Sequence, residues 1–141
     1  MSCAAVMFDI DGTLLPMHDP KALGLILNSA ADLNASVWIN TARSEAYCEN
    51  PFQTQFVEKD KHRCMSDFVG SVTQSKLDNM HNTGVDPKRN ECVILIDDLK
   101  SNVDRVTKSK FGFTAFEVDP KFGIDMDTAN SVRKVLSKCC G

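Results

Sequence analysis

The chain has no apolar run approaching the ~18 residues a membrane span needs, so no membrane partner is expected. Its opening residues, MSCAAVMF, lack a basic stretch, and their apolar run leads straight into carboxylates, which argues against a secretory leader. No CxxC pair occurs, and His62 with Cys64 lacks partners at zinc spacing. Cys3, Cys48, Cys64, Cys92, Cys139 and Cys140 are therefore expected as reduced, mostly structural thiols of a cytoplasmic protein, the last two in a frayed terminus. The ending CCG is not a prenylation box. Neither repeat nor linker interrupts the chain, and its net charge of −3 weighs against a broad nucleic-acid-binding surface. With 141 residues, 43% of them apolar and 25% charged, the chain reads as one globular domain over residues 1–141.

What is present is an alternation. Ala4–Phe8 is a short apolar run bounded by turn residues, as in a fully buried strand. Asp19-Pro20 reads as helix cap and first turn, followed by Ala22, Leu23, Ile26, Leu27, Ala30 and Leu33 at helical spacing. Ser36–Asn40 is a second strand, and Ser44–Glu49 a short helix stopped near Asn50-Pro51. Residues 52 to 70 hold a mixed-charge run, Glu58 to Arg63, and room for one short strand. Ser71-Val72-Thr73-Gln74 matches a capping box, and Gly84 closes the helix it starts. Glu91–Ile96 is the clearest strand. A helix starting near Ser101, a strand at Phe113–Val118 and a helix at Asp127–Leu136 complete the pattern. Such alternation predicts an α/β fold with a mostly parallel sheet covered on both faces.

Ligands of such sheets bind beyond the carboxyl ends of the strands. Three predicted strands deliver polar residues there: Asp9 and Asp11, Thr41 and Arg43, Asp97 and Asp98. Four carboxylates at one edge call for a cation, and hard oxygen ligands select Mg²⁺, which commonly accompanies a phosphorylated ligand. Thr41 adds a hydroxyl, and Arg43 and Lys76 add positive charge for phosphate oxygens. Gly12 would admit the backbone close to a ligand. A carboxylate held by a metal and cations can attack phosphorus, and a second carboxyl can carry protons; Asp9 and Asp11 would divide those tasks.

These residues also carry a resemblance. Asp9-Ile-Asp11-Gly12-Thr13-Leu14 resembles the first motif of haloacid dehalogenase-like phosphohydrolases. Thr41, Lys76 and Ile96-Asp97-Asp98-Leu-Lys-Ser-Asn102 resemble the second, third and fourth, in family order across about seven-tenths of the chain. The resemblance implies a Rossmann-like three-layer sandwich, with Asp9 as nucleophile forming an aspartyl-phosphate and Asp11 as general acid and base. It implies Mg²⁺ on the Asp9 carboxylate, the Asp11 carbonyl and the Asp98 side chain, with Thr41 and Lys76 on the phosphoryl group. Asp97 stands where relatives often have glycine, as a water-mediated metal contact or a supporting group, and Asn102 would orient the loop. Gly12, Thr13, Ala42 and Arg43 are the expected substrate-contacting positions. Thr41-Ala42-Arg43 is also similar to the second motif in the phosphatase part of polynucleotide kinases.

Only residues 14 to 19 separate the first motif from its helix, and 34 residues lie between Thr41 and Lys76, so neither gap holds a cap domain. An open site suits a large substrate, or a small one enclosed by a neighbouring subunit. The expected activity is a Mg²⁺-dependent phosphatase acting on a small molecule, a nucleotide end or a macromolecule. The alternatives are a polynucleotide 3′-phosphatase or nucleotidase, and a phosphate-binding module without turnover. Lys100, Arg105, Lys108 and Lys110 read as a solvated helix face, or as a basic fringe of the site. His18 reads as an exposed turn residue, Trp38 as core, and Tyr47 and Phe52 as candidate entrance residues.

Overall fold

The computed structural model describes residues 2–48, 54–65 and 71–141. Its elements in chain order are β1 (Ala4–Phe8), α1 (Pro20–Asp32), β2 (Ser36–Ser44), α2 (Glu45–Cys48), β3 (His62–Met65), α3 (Val72–Met80), β4 (Cys92–Asp97), α4 (Lys100–Lys108), β5 (Thr114–Glu117) and α5 (Met126–Cys140). All the strands are parallel, in the order β3-β2-β1-β4-β5. The protein is an α/β, Rossmann-like three-layer sandwich, and among the described residues no cap domain interrupts it.

The two layers follow from strand alternation. Ala4, Val6 and Phe8 of β1 and Ile94 and Ile96 of β4 face α1 and α5, packing on Ile26, Ala30, Val132 and Leu136. Ala5 and Met7, with Val93 and Leu95, face the other way onto Leu77 and Met80 of α3 and Val106 of α4. Because both faces of β1 and β4 are covered, both strands are apolar without a break. Asp19 caps α1 by accepting from the Ala22 N–H, and Ser71 caps α3 by accepting from Gln74.

Several expectations shift. β2 runs four residues past Asn40, and α5 extends to Cys140. α4 starts at Lys100 rather than Ser101, with Leu99 as its cap residue. β3 lies in the stretch that was hardest to read. Phe52 and the predicted helix stop at Asn50-Pro51 fall outside the described residues.

The thiols depart from expectation altogether. Cys3 pairs with Cys140, Cys48 with Cys64 and Cys92 with Cys139, leaving no cysteine free. Cys139 and Cys140 are thus neither reduced nor in a frayed end: they tie the last turn of α5 to β4 and to the residue before β1. No helix among the described residues is long and apolar enough to cross a membrane.

Candidate active site

The sheet order turns outward in both directions from β1, so the switch point lies between β1 and β4. A parallel sheet leaves a crevice there at its carboxyl edge. Asp9 follows β1, Asp97 ends β4 and Asp98 follows it. Oxygens of these three carboxylates all lie within 4.8 Å of one another. Asp9 and Asp97 are buried, while Asp98 is half-buried.

Lys76 enters this cluster from α3. Its Nζ donates to Asp9 Oδ1 at 2.7 Å and to Asp97 Oδ2 at 2.5 Å, with only 2% of the side chain exposed. Asp97 also accepts from Asn102 Nδ2 (3.1 Å) and from the Leu99 N–H (3.0 Å). A strand-end carboxylate therefore both holds the turn that leads into α4 and fixes the lysine. The expected role of Asn102 takes this form: it holds Asp97, and Asp97 holds the loop. Asp97 itself is a direct neighbour of Asp9 and Asp98 rather than a remote support.

Charge in this pocket is unbalanced. With all three carboxylates ionised, one ammonium would leave two negative charges, three minus one, and the site resists that state. Burial pushes the Asp9 carboxyl up; Lys76 pulls it back, and Asp97 and a hydrogen bond with Asp98 push it up again. The outcome is a pKa of about 8 against an ordinary 3.8. Burial alone would lower the Lys76 ammonium, but Asp9 and Asp97 together outweigh it and its pKa is raised.

The remaining groups come from β2. Thr41 is buried, and its Oγ1 accepts from the Arg43 N–H at 3.1 Å, leaving its own proton free to donate. Arg43 grips Asp11 with both arms, Nη2 to Oδ1 at 2.7 Å and Nε to Oδ2 at 2.9 Å. The hydrogen bond from Arg43 holds the Asp11 carboxyl below its ordinary range. The Asp11 carboxylate thus faces Arg43 at the exposed mouth, apart from the acidic cluster. Ala42 is exposed.

Gly12 and Thr13 follow in the loop after β1. Gly12 has φ +82°, and a Cβ there would fall 2.5 Å from Asp98 Cγ. The missing side chain makes room for the Asp98 carboxylate, joining the β1 loop to the β4 loop. Thr13 is fully buried, and its hydroxyl has no partner among the described residues. Its side chain sits inside the loop that follows β1.

Asn40 was not anticipated. Fully buried at the turn of β2 toward Thr41, it donates to the Lys76 carbonyl at 2.9 Å and accepts from Asn79 Nδ2 at 2.9 Å. It docks the lysine's helix onto the threonine's strand. A signal was available: an asparagine inside an apolar strand needs partners. Of the four basic residues after Asp98, Lys108 ends α4 and Lys110 follows it, both exposed at the opposite edge, as on a solvated helix face. Lys100 lies 3.9 Å from Asp104, and Arg105 donates to Gln74. His18 is exposed, as expected, with its ring edge-on to Phe122.

No family model and no curated protein matches the chain. Among solved structures, an uncharacterized protein from Corynebacterium glutamicum is similar with a TM-score of 0.59 at 14% identity, covering 94% of each chain. That likeness supports the three-layer fold.

Proposed function

We propose that this single domain is a Mg²⁺-dependent phosphomonoesterase of the haloacid dehalogenase-like type, acting through an aspartyl-phosphate on Asp9. Three carboxylates share one ammonium, and the double negative excess that arises when Asp9 ionises carries this reading. A divalent cation balances it, and an all-oxygen donor set suits Mg²⁺. Asp9 and Asp98, with the Asp11 carbonyl, would hold the ion, and Asp97 lies within reach. When bound, the metal supplies the charge neutralisation that lets a phosphate approach a carboxylate.

Lys76 fixes the Asp9 carboxylate, and the Thr41 hydroxyl is free to donate to a phosphoryl oxygen. Asp9 attacks phosphorus as the bond to the leaving oxygen breaks, and Asp11 gives that oxygen a proton. In the second half Asp11 takes a proton from water as the water attacks phosphorus. The Asp9–phosphorus bond breaks, releasing inorganic phosphate and restoring Asp9. Arg43 first has to release Asp11. An ion pair this exposed, 27% and 65%, is worth only about 0–1 kcal/mol, so a phosphate can displace the carboxylate from the guanidinium at little cost.

The open mouth accommodates a phosphorylated macromolecule or strand end as well as a small ester. Arg43, poised two residues after Thr41, favours a polynucleotide 3′-phosphatase or nucleotidase as the second reading. The cytoplasmic setting expected from the sequence leaned on reduced cysteines; three disulfides remove that support and favour an oxidising compartment.

Hydrolysis of an aryl phosphate by the purified chain is the test. Activity should require Mg²⁺, stop with EDTA and vanish in Asp9→Asn. Undiminished turnover by Asp9→Asn would remove Asp9 as nucleophile. Beryllofluoride trapping at Asp9 without turnover of any phosphate ester would instead make the protein a binding module. Rates on 3′-phosphorylated oligonucleotides, mononucleotides and sugar phosphates then rank the substrates.

A further inference from the structure

At the amino edge of the sheet, five strand steps or about 17 Å along β4 from Asp97, lies a cavity of ≈ 630 Å³. Its size suits a small-molecule ligand. It opens between the segment after α3, the turn before β4 and the loop from α4 to β5. None of its residues belongs to the site at the other edge.

Two features define its chemistry. The first is aromatic. The His81 ring stands edge-to-face with Phe111 at 4.5 Å and with Phe113 at 4.9 Å, yet Phe111 remains 49% exposed. A half-exposed phenyl ring braced by two others, at the mouth of a cavity, is a platform for a flat partner. The second is charge. Lys88 and Lys110 are exposed on the lining and make no ion pair among the described residues. The local acids are already engaged: Glu91 pairs with Arg89 at 2.9 Å, and Asp86 accepts from the Lys88 N–H. The Asp86 carboxylate keeps its charge, so Lys88 and Lys110 leave the lining one positive charge in excess.

The backbone points the same way. Lys110 has φ +62°, just past the end of α4, where glycine or asparagine is the undemanding choice. Had helix termination been the only requirement, no lysine would be needed. The position sets an ammonium beside Phe111 at a conformational cost, and such outliers gather at ligand sites.

We propose that this cavity binds a nucleotide unit, with its base stacked on Phe111 and its phosphate held by Lys88 and Lys110. A planar ring answers the platform, and an anion answers the lysines. The unit could belong to a free mononucleotide or to a single strand.

The test is calorimetric titration of the full chain in EDTA with AMP, ribose 5-phosphate and an unlabelled ten-nucleotide oligo(dT). AMP should bind at least about ten-fold more tightly than ribose 5-phosphate, because only AMP can stack. Phe111→Ala should weaken AMP about ten-fold or more, and Lys110→Gly, which relaxes the backbone there, should weaken it independently of any folding defect. Arg43→Ala should leave AMP binding unchanged, and Phe111→Ala should keep the native aryl-phosphatase rate. Tighter, salt-sensitive binding of the oligonucleotide than of AMP identifies a strand as the source; the reverse identifies a free nucleotide. Equal affinity for AMP and ribose 5-phosphate, binding insensitive to both Phe111→Ala and Lys110→Gly, or no binding at millimolar AMP would each overturn the proposal. None of these outcomes bears on the chemistry at Asp9.

Discussion

Substituting Gly12 by alanine separates backbone strain from the role of Asp98. Gly12 (φ +82°) and Gly84 (φ +77°) both occupy the left-handed region, so alanine at either costs about 1–2 kcal/mol. For a chain of 141 residues that lowers Tm by about 3–7 °C. The surroundings differ. A Cβ at Gly84 meets nothing within 4 Å, whereas one at Gly12 lies 2.5 Å from Asp98 Cγ and overlaps its carboxylate oxygen. Asp98 must therefore swing away in Gly12→Ala only. At free Mg²⁺ one hundred-fold above Kd, binding stabilises a native site by about 2.7 kcal/mol, or about 9 °C. Misplacing one ligand weakens affinity about ten- to a hundred-fold, which leaves a gain of about 0.4–1.4 kcal/mol. Thermal melts of the three proteins in EDTA and in Mg²⁺ read both quantities. Native protein and Gly84→Ala should gain equally from the metal, and Gly12→Ala by half or less. Equal gains in all three would refute the placement of Asp98 as a ligand.

Lys76→Met leaves Asp9 and Asp97 buried without their shared cation, and should cost about 3–5 kcal/mol in urea unfolding and at least about 100-fold in kcat. A loss below 1 kcal/mol would mean the ammonium is not the partner of both carboxylates. pH enters through Asp9. Its folded pKa of about 8 lies above the unfolded 3.8, so the folded state keeps a proton that the unfolded chain has lost. In EDTA its contribution to stability is full below pH 3.8 and is lost as pH rises toward about 8. On the proposed reading Mg²⁺ would displace that proton, so its affinity should rise over the same range, and pH-independent Mg²⁺ binding by calorimetry would contradict the assignment. Iodoacetamide should label none of the six cysteines before reduction and all six after it, by intact mass. Reduction should also destabilise the fold, since the Cys3–Cys140 link spans 137 positions and such a closure is worth about 4–5 kcal/mol.

What could be read in advance was whatever the interior dictates. β1 and β4 are covered on both faces and so appear as unbroken apolar runs ending in acids. The caps at Asp19 and Ser71 act locally and are legible locally. Edge structure was not. β3, His62–Met65, sits at the sheet margin inside a charged stretch, and its Arg63 guanidinium covers the Trp38 ring at 4.7 Å. A cation over an aromatic does there what an aliphatic residue does in a central strand. The start of α4 is hidden for a similar reason: Leu99 is its cap residue without any side-chain cap bond, and the turn before it is held by Asp97 of the preceding strand rather than by Ser101. Disulfide partners 137, 16 and 47 positions apart leave no trace in spacing. At the site, residue types were legible and their bonds were not: Arg43 with Asp11, Asn40 with Lys76, and the lysine bridging Asp9 to Asp97 are long-range choices.

Those bonds divide the site into two parts held by different means. The acidic part grows from β1 and β4, the central pair, which are in register from Ala4 and Cys92 to Phe8 and Ile96. Cys3 and Cys92, at the far ends of the same strands, are joined to Cys140 and Cys139 of α5. Asp9 and Asp97 thus stand on the central pair of strands, whose opposite ends are tied to α5. The other part, Thr41, Arg43 and Lys76, grows from β2, whose backbone ladder with β1 ends at Phe8 and Ile39, and from α3; at the site itself two side chains join it to the acids. Lys76 makes the buried link through Asp9 and Asp97, and Arg43 makes the exposed one through Asp11. The buried link fixes Asp9, the proposed nucleophile; the exposed one is weak and, on the proposed reading, opens to a phosphate. An Asn40→Ala variant probes the seam between β2 and α3, because Asn40 supports Lys76 without touching a ligand. Leaving the Lys76 carbonyl and Asn79 unpaired costs about 1–3 kcal/mol. Aryl-phosphatase kcat should fall while the Mg²⁺-induced rise in Tm persists, since the acidic part does not depend on that seam. A lost Mg²⁺ response with kcat intact would show the two parts to be coupled the other way round.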